Sequence, residues 1–193
     1  MKNKQGFTLI ELVIVIVLLT ILTAVALPKY LDVTTDARLA SMKTMQGALL
    51  SATDLTHAQI ELRPDSINPN GRRFTLSNGQ QILIRGKYAH GRWSNTFIHL
   101  VDFDDVTDAL NNCDVETSWC ARNRGSGWLE TRVYNDEDSA FIAANPDGRG
   151  FIIFPNGFNH NNQLCYVYYY SPNTTTTTGS GIKPIAGIVD DDC

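Results

Sequence analysis

The chain has 193 residues, 43% hydrophobic and 19% charged, a balance that suits one packed domain with an appendage. Its 20 acidic and 16 basic residues leave a formal net charge of −4. That balance argues against a nucleic-acid binder, which would normally show a basic patch; no run of Lys or Arg stands out, and no nucleic-acid partner is expected.

Residues 1–6, MKNKQG, are short and basic, and residues 7–27 are apolar apart from Glu11. As a helix those residues span about 32 Å, close to the thickness of a bilayer core. Lys2 and Lys4 put the basic flank on the cytoplasmic side. Three readings compete: a signal peptide cut after Ala24-Val25-Ala26, a plain anchor, and a segment that works after cleavage near its start. Glu11 discriminates among them. A carboxylate inside an apolar span costs on the order of 2.5–3.5 kcal/mol, and neither a signal peptide nor an anchor has a use for it. A cut between Gly6 and Phe7 would create an α-amine four residues before Glu11, on the same helix face. The same amine on a neighbouring copy could pair with Glu11 and so join identical helices in a stagger.

The string Gly6-Phe7-Thr8-Leu9-Ile10-Glu11 and its apolar tail resemble the type IV pilin and pseudopilin family. The short leader and Phe7 resemble the type IVa subgroup. The resemblance implies a leader, residues 1–6, removed by a prepilin peptidase after Gly6, and methylation of the new N-terminal Phe7. It also implies an inner-membrane precursor of a Gram-negative bacterium, polymerised with itself by pilus assembly machinery into an extracellular filament. The implied fold is α+β, a long N-terminal helix packed against an antiparallel sheet.

Pro28 closes the apolar segment, 7–28; a proline inside a helix removes a hydrogen bond and kinks it. The resemblance implies an assembly role for Pro28 as well. Residues 29–58 then form an amphipathic helix, with Leu39, Met42, Met45, Leu49 and Ala52 on the core face and Asp36, Arg38, Lys43 and Asp54 opposite. Pro28-Lys29-Tyr30-Leu31-Asp32 and Asp36-Ala37-Arg38 resemble the mannose-sensitive haemagglutinin (MSHA) pilins of marine bacteria. That resemblance implies surface attachment and biofilm formation, with a surface or host carbohydrate as receptor.

The head, 59–193, opens with a loop at Arg63-Pro64 and Asn68-Pro69-Asn70-Gly71. A hairpin is expected across Asn78-Gly79, between 73–76 and 81–84. Residues 96–110 read as a helix, and 128–134, 150–154 and 164–170 as strands, with turns at Asp147-Gly148 and Asn156-Gly157. The four cysteines, Cys113, Cys120, Cys165 and Cys193, follow an export segment and lack zinc-ligand spacing, which points to disulfides. Three connectivities are open. Nearest neighbours, Cys113–Cys120 and Cys165–Cys193, are expected, because each closes a turn-rich loop. In the resembled family the segment 165–193 would be the exposed D-region; its run Thr174–Thr178 reads as a loop tip.

His57, His90, His99 and His160 share no metal-ligand spacing. Asp102, Asp104, Asp105 and Asp108 lack the glycine and distant glutamate of a calcium loop. Trp93, Trp119 and Trp128 read as packed aromatics rather than sugar platforms. There is no GxSxG, P-loop or HExxH, so neither an enzyme nor a cofactor is expected. Two other functions stay open beside the filament subunit: a minor pilin or type II secretion pseudopilin, and a secreted binding protein with a cleaved signal peptide.

Overall fold

The computed structural model describes residues 7–103, 106–108, 117–173 and 181–193, without the side chains at positions 28, 31, 32 and 108. The leader with Gly6, Cys113, Asp104, Asp105, Leu110 and the threonine run lie outside the described residues. The chain divides into two compact units, Met1–Ala40 and Ser41–Cys193. One helix, α1, runs Leu9–Leu62. Helical structure therefore continues through position 28, and it ends before Arg63-Pro64, where the proline disfavours helical geometry in the residue ahead of it.

In the first unit the apolar side chains of residues 9–27 are exposed all round the helix. A helix of that kind needs an apolar environment from outside its own unit.

The second unit is built on two sheets. The smaller has the order β1 (Arg73–Thr75), β2 (Gln81–Arg85), β3 (Tyr88–Ala89), antiparallel throughout. The β1–β2 pair is the expected Asn78-Gly79 hairpin, and Gly79 has φ +84, a left-handed conformation that glycine adopts without strain. The larger sheet runs β4 (Val106–Asp108), β5 (Trp119–Gly125), β6 (Arg149–Pro155), β7 (Tyr166–Ser171), β8 (Ile185–Val189). Only β4–β5 is parallel.

The larger sheet is covered on both faces. Ala121, Phe151, Ile153, Val167 and Tyr169 pack with Met42, Met45 and Leu49 of α1, the face that the helical spacing predicts. Cys120, Ile152, Phe154, Tyr166, Tyr168 and Tyr170 pack against Leu129 of α2 (Ser126–Glu130), Ile142 of α3 (Asp136–Ala144) and Val133 between the two helices. Two-sided burial explains why β6 and β7 read as unbroken apolar runs rather than alternating ones. The tyrosines on the second face reach partners at their tips: Tyr166 donates to the Arg132 carbonyl at 2.6 Å and Tyr168 to Asp138 at 2.5 Å.

Two local expectations are corrected. Residues 128–134 are not a strand: Trp128 and Leu129 lie in α2, and Leu129 and Val133, four apart, enter the same core cluster. The strand of that region is β5, just upstream. The described part of 96–110 holds a single 3-10 turn, Phe97–His99, and strand β4, which extends the sheet edge beside β5. Sheet pairing there overrides a spacing compatible with a helix.

Candidate functional site

Helix α1 begins where Thr8 and Glu11 cap each other. The Thr8 backbone N–H and hydroxyl each donate to Glu11 Oε2 at 2.8 Å, and the Glu11 N–H donates to Thr8 Oγ1 at 3.4 Å. This is a reciprocal capping box that satisfies two otherwise orphaned groups. The Thr-x-x-Glu signature was present in the sequence, where Glu11 drew attention only as a carboxylate out of place. Phe7 is 85% exposed and stands just before the cap. Leu9–Leu27 is long and apolar enough to cross a membrane, with mean hydropathy 2.9 and no part of it buried. The structure thus places Phe7 and Glu11 together at the tip of an exposed apolar helix. Gly6 lies outside the described residues.

At the other end of the chain, Cys165 and Cys193 form a disulfide. Its sulfurs lie 4.0 and 3.6 Å from Met42 Sδ, which anchors the C-terminus in the core beside α1. Asp192 reinforces the closure: its carboxylate accepts from the Leu164 N–H at 2.7 Å, and its own N–H donates to the Leu164 carbonyl at 3.1 Å. Cys120 is also disulfide-bonded, while its expected partner Cys113 lies outside the described residues.

Aromatic and histidine side chains serve mostly as packing. Trp93 is buried, and Trp119 packs at the edge of the α1-facing core. Trp128 lies beneath the guanidinium groups of Arg124 and Arg132, at 4.5 and 4.8 Å. His57 stacks on Tyr88 with centroids 4.2 Å apart. No group of His, Cys, Asp and Glu with metal-binding geometry occurs among the described residues.

No run of Lys or Arg marks the sequence, yet the fold gathers basic side chains in one place. Arg72, Arg73, Arg85, Arg92 and Arg149, scattered through 78 residues of sequence, line one hollow of about 450 Å³. Gly91 makes this possible. A Cβ there would stand 1.8 Å from the Arg149 carbonyl oxygen, so the missing side chain lets the loop carrying Arg92 lie against β6.

A family model described as the prokaryotic N-terminal methylation motif matches residues 1–27. A fimbrial protein of Pseudomonas aeruginosa is 30% identical over 86 residues, 45% of this chain and 56% of that protein. The type IV narrow pilus major component PilA5 of Thermus thermophilus is 41% identical over 73 residues, 36% of this chain and 63% of that protein. The type IV major pilin protein PilE1 of Neisseria gonorrhoeae is 38% identical over 85 residues, 44% of this chain and 37% of that protein. The chain therefore spans about half the length of the curated relatives it matches. No solved structure matches it. The methylation motif on an exposed apolar span that bears one carboxylate, together with these relatives, makes the chain similar to type IV pilins over the stretches matched.

Proposed function

We propose that this chain is the precursor of a structural subunit of a type IV pilus. In this reading a prepilin peptidase cuts between Gly6 and Phe7, Phe7 is N-methylated, and the apolar helix holds the subunit in the inner membrane. Assembly machinery then moves it into an extracellular filament, where Glu11 pairs with the Phe7 amine of a neighbouring copy. Apolar helices that leave the bilayer are buried against one another, which offsets the loss of lipid contact. Surface attachment and biofilm formation of the MSHA kind, on a carbohydrate receptor, and a role for Pro28 in subunit packing belong to the same proposal. Two of the relatives are named as major components of their pili, which favours the main subunit over a minor pilin or secretion pseudopilin.

The observation that carries the reading is Glu11. It is the one charge in the apolar, exposed span Leu9–Leu27, and among the described residues its carboxylate is held only by the Thr8 cap. Replacement by valine, Glu11→Val, is expected to leave membrane insertion intact while blocking or impairing filament assembly. Sheared surface filaments, quantified by immunoblot against the membrane pool, measure this; normal piliation would contradict the pairing. N-terminal sequencing of the filament subunit is expected to return methylated Phe7, whereas Leu27 would mean a signal peptide.

A further inference from the structure

Five of the ten arginines in the chain, Arg72, Arg73, Arg85, Arg92 and Arg149, line the hollow described above, with Asp147 as the acidic residue on its wall. None of these five guanidinium groups makes an ion pair among the described residues. Arg85 donates to the Asn173 side chain at 2.9 Å and Arg149 to the Gly148 carbonyl at 3.0 Å, so both are held by neutral acceptors. Five clustered cations beside a single carboxylate repel one another, and an anion between them relieves that repulsion. On the same wall lies His90, 6% exposed, whose Nδ1 has no hydrogen-bond partner. Burial and the charges of Arg85, Arg92 and Arg149 push its pKa down to about 3, so it is neutral at pH 7.

A second hollow of about 500 Å³ shares Arg92 and Arg149 with the first and adds Arg124 and Asn123. Two Arg124 nitrogens, Nε and Nη2, are buried beside this hollow with no hydrogen-bond partner, and the guanidinium rests on the Trp128 ring. The shared arginines make the two hollows one track.

The linings say what fits. His90 is the one aromatic ring in either lining and is only 6% exposed, so there is no open platform on which a nucleic-acid base would stack. Leu83 is the single large apolar side chain among the lining residues, so there is no apolar centre of the kind a protein partner covers. What is present is guanidinium forks, which match planar or tetrahedral oxyanions. Asn68, Asn70 and Asn173 add amides that can both donate to and accept from hydroxyls.

We propose that this track binds an acidic polysaccharide, a chain of hydroxylated rings bearing carboxylate or sulfate groups. Arg85, Arg92 and Arg149 hold one anionic group in the first hollow, Arg124 holds the next in the second, and the asparagines take ring hydroxyls. The site lies wholly in Ser41–Cys193 and does not depend on filament formation. Binding by the unassembled chain can fail while assembly succeeds, and the reverse.

The test uses the purified full chain in neutral detergent. Its binding is measured to a heparin dodecasaccharide, a polyuronate of matched length, a neutral dextran of that length, a single-stranded oligonucleotide of matched charge, and inorganic sulfate. Saturable binding of a sulfated or uronate chain, at least tenfold tighter than dextran or the oligonucleotide, is expected. The double variant Arg92→Gln/Arg149→Gln, on two exposed side chains, is expected to weaken it tenfold or more. Lys29→Gln/Lys43→Gln removes the same charge elsewhere and is expected to change it less than twofold. Equal losses in both double variants would overturn the site. Oligonucleotide binding as tight as the saccharide would assign a nucleic acid instead, and a response to sulfate alone would reduce the site to one for small oxyanions. The comparison of charged with neutral ligands on the unaltered chain decides the matter even where a variant fails to fold.

Discussion

Gly91 carries more of the head than its size suggests, because its bare Cα is what allows the loop after β3 to touch the β6 backbone. The same loop is pinned on its other side by Asn123, whose side chain accepts from the Trp93 N–H at 2.7 Å and donates to Ser94 at 3.0 Å. A methyl group at position 91 meets main chain rather than a flexible side chain, so the loop has to move. Gly91→Ala is therefore expected to destabilise the head by about 2–3 kcal/mol, in the range of overpacked sites. The urea midpoint of the full chain in detergent measures this, and an unchanged midpoint would show that the contact yields freely. Residue-level legibility was uneven. Glu11 stood out because a charge in an apolar run is costly whatever surrounds it. Thr8 did not, because a cap is recognised only once the helix start is known. Gly91 carried no local signal at all, since its role depends on a strand 58 residues away.

At the scale of elements, the part of α1 within the head and the C-terminal closure depend on each other. Met42, Met45 and Leu49 fill one face of the large sheet, and the Cys165–Cys193 disulfide rests on Met42. Gln46 donates to the Ala186 carbonyl at 2.9 Å, and Asp54 pairs with Lys183 at 2.9 Å, tying the helix to β8 and the segment before it. The disulfide closes a loop with a sequence separation of 28, for which chain entropy gives about 3–4 kcal/mol of stabilisation. Cys165→Ala/Cys193→Ala is expected to lower unfolding stability by about that amount while the Leu164–Asp192 hydrogen bonds keep the tail in register. Denaturant unfolding, with and without reductant on the parent chain, checks it; a variant as stable as the parent would mean that hydrogen bonding and packing alone suffice. The core face of α1 was legible because helical spacing survives any context. Helix α2 was not, since Trp128 to Tyr134 carries both a strand-like composition and the four-residue step from Leu129 to Val133, and only the core behind the sheet selects the second. Helix α3 had a usable signal in Asn135 followed by Asp136-Glu137-Asp138: the Asn135 side chain accepts from the Glu137 and Asp138 N–H groups at 3.0 and 3.5 Å, and the acidic turn suits the helix dipole.

For the molecule as a whole, basic groups brought together within a net acidic chain make stability depend on pH. His90 is pushed down to about 3 by burial and by Arg85, Arg92 and Arg149; His160 is pushed to about 4 by burial and by Arg124, Arg122 and Arg132. Both are neutral in the folded state at pH 5, whereas the unfolded chain binds protons there. The unfolded state therefore gains protons first as pH falls, and stability present above about pH 6.5 is lost progressively towards pH 4. For buried His90 the slope reaches about 1.4 kcal/mol per pH unit. Urea unfolding at steps from pH 7 to pH 4 is expected to show this loss, and NMR of His90 is expected to show no titration above pH 4. A His90 resonance titrating near pH 6.5 would contradict the arrangement.

The sequence by itself determined the pilin-like character of the N-terminal segment, since an apolar run, one carboxylate and a glycine before Phe7 act through local spacing and transfer cost. It also determined which face of α1 packs, and it pointed to the disulfide at Cys165 and Cys193 by their nearness in the chain. Tertiary structure alone decided helix α2 and the arginine track. Long-range sheet pairing sets which distant residues become neighbours, and no stretch of sequence holds more than two of the five arginines side by side. Charge that looks dispersed along a chain becomes a site only when the fold brings it to one place, because electrostatic interaction follows distance in space.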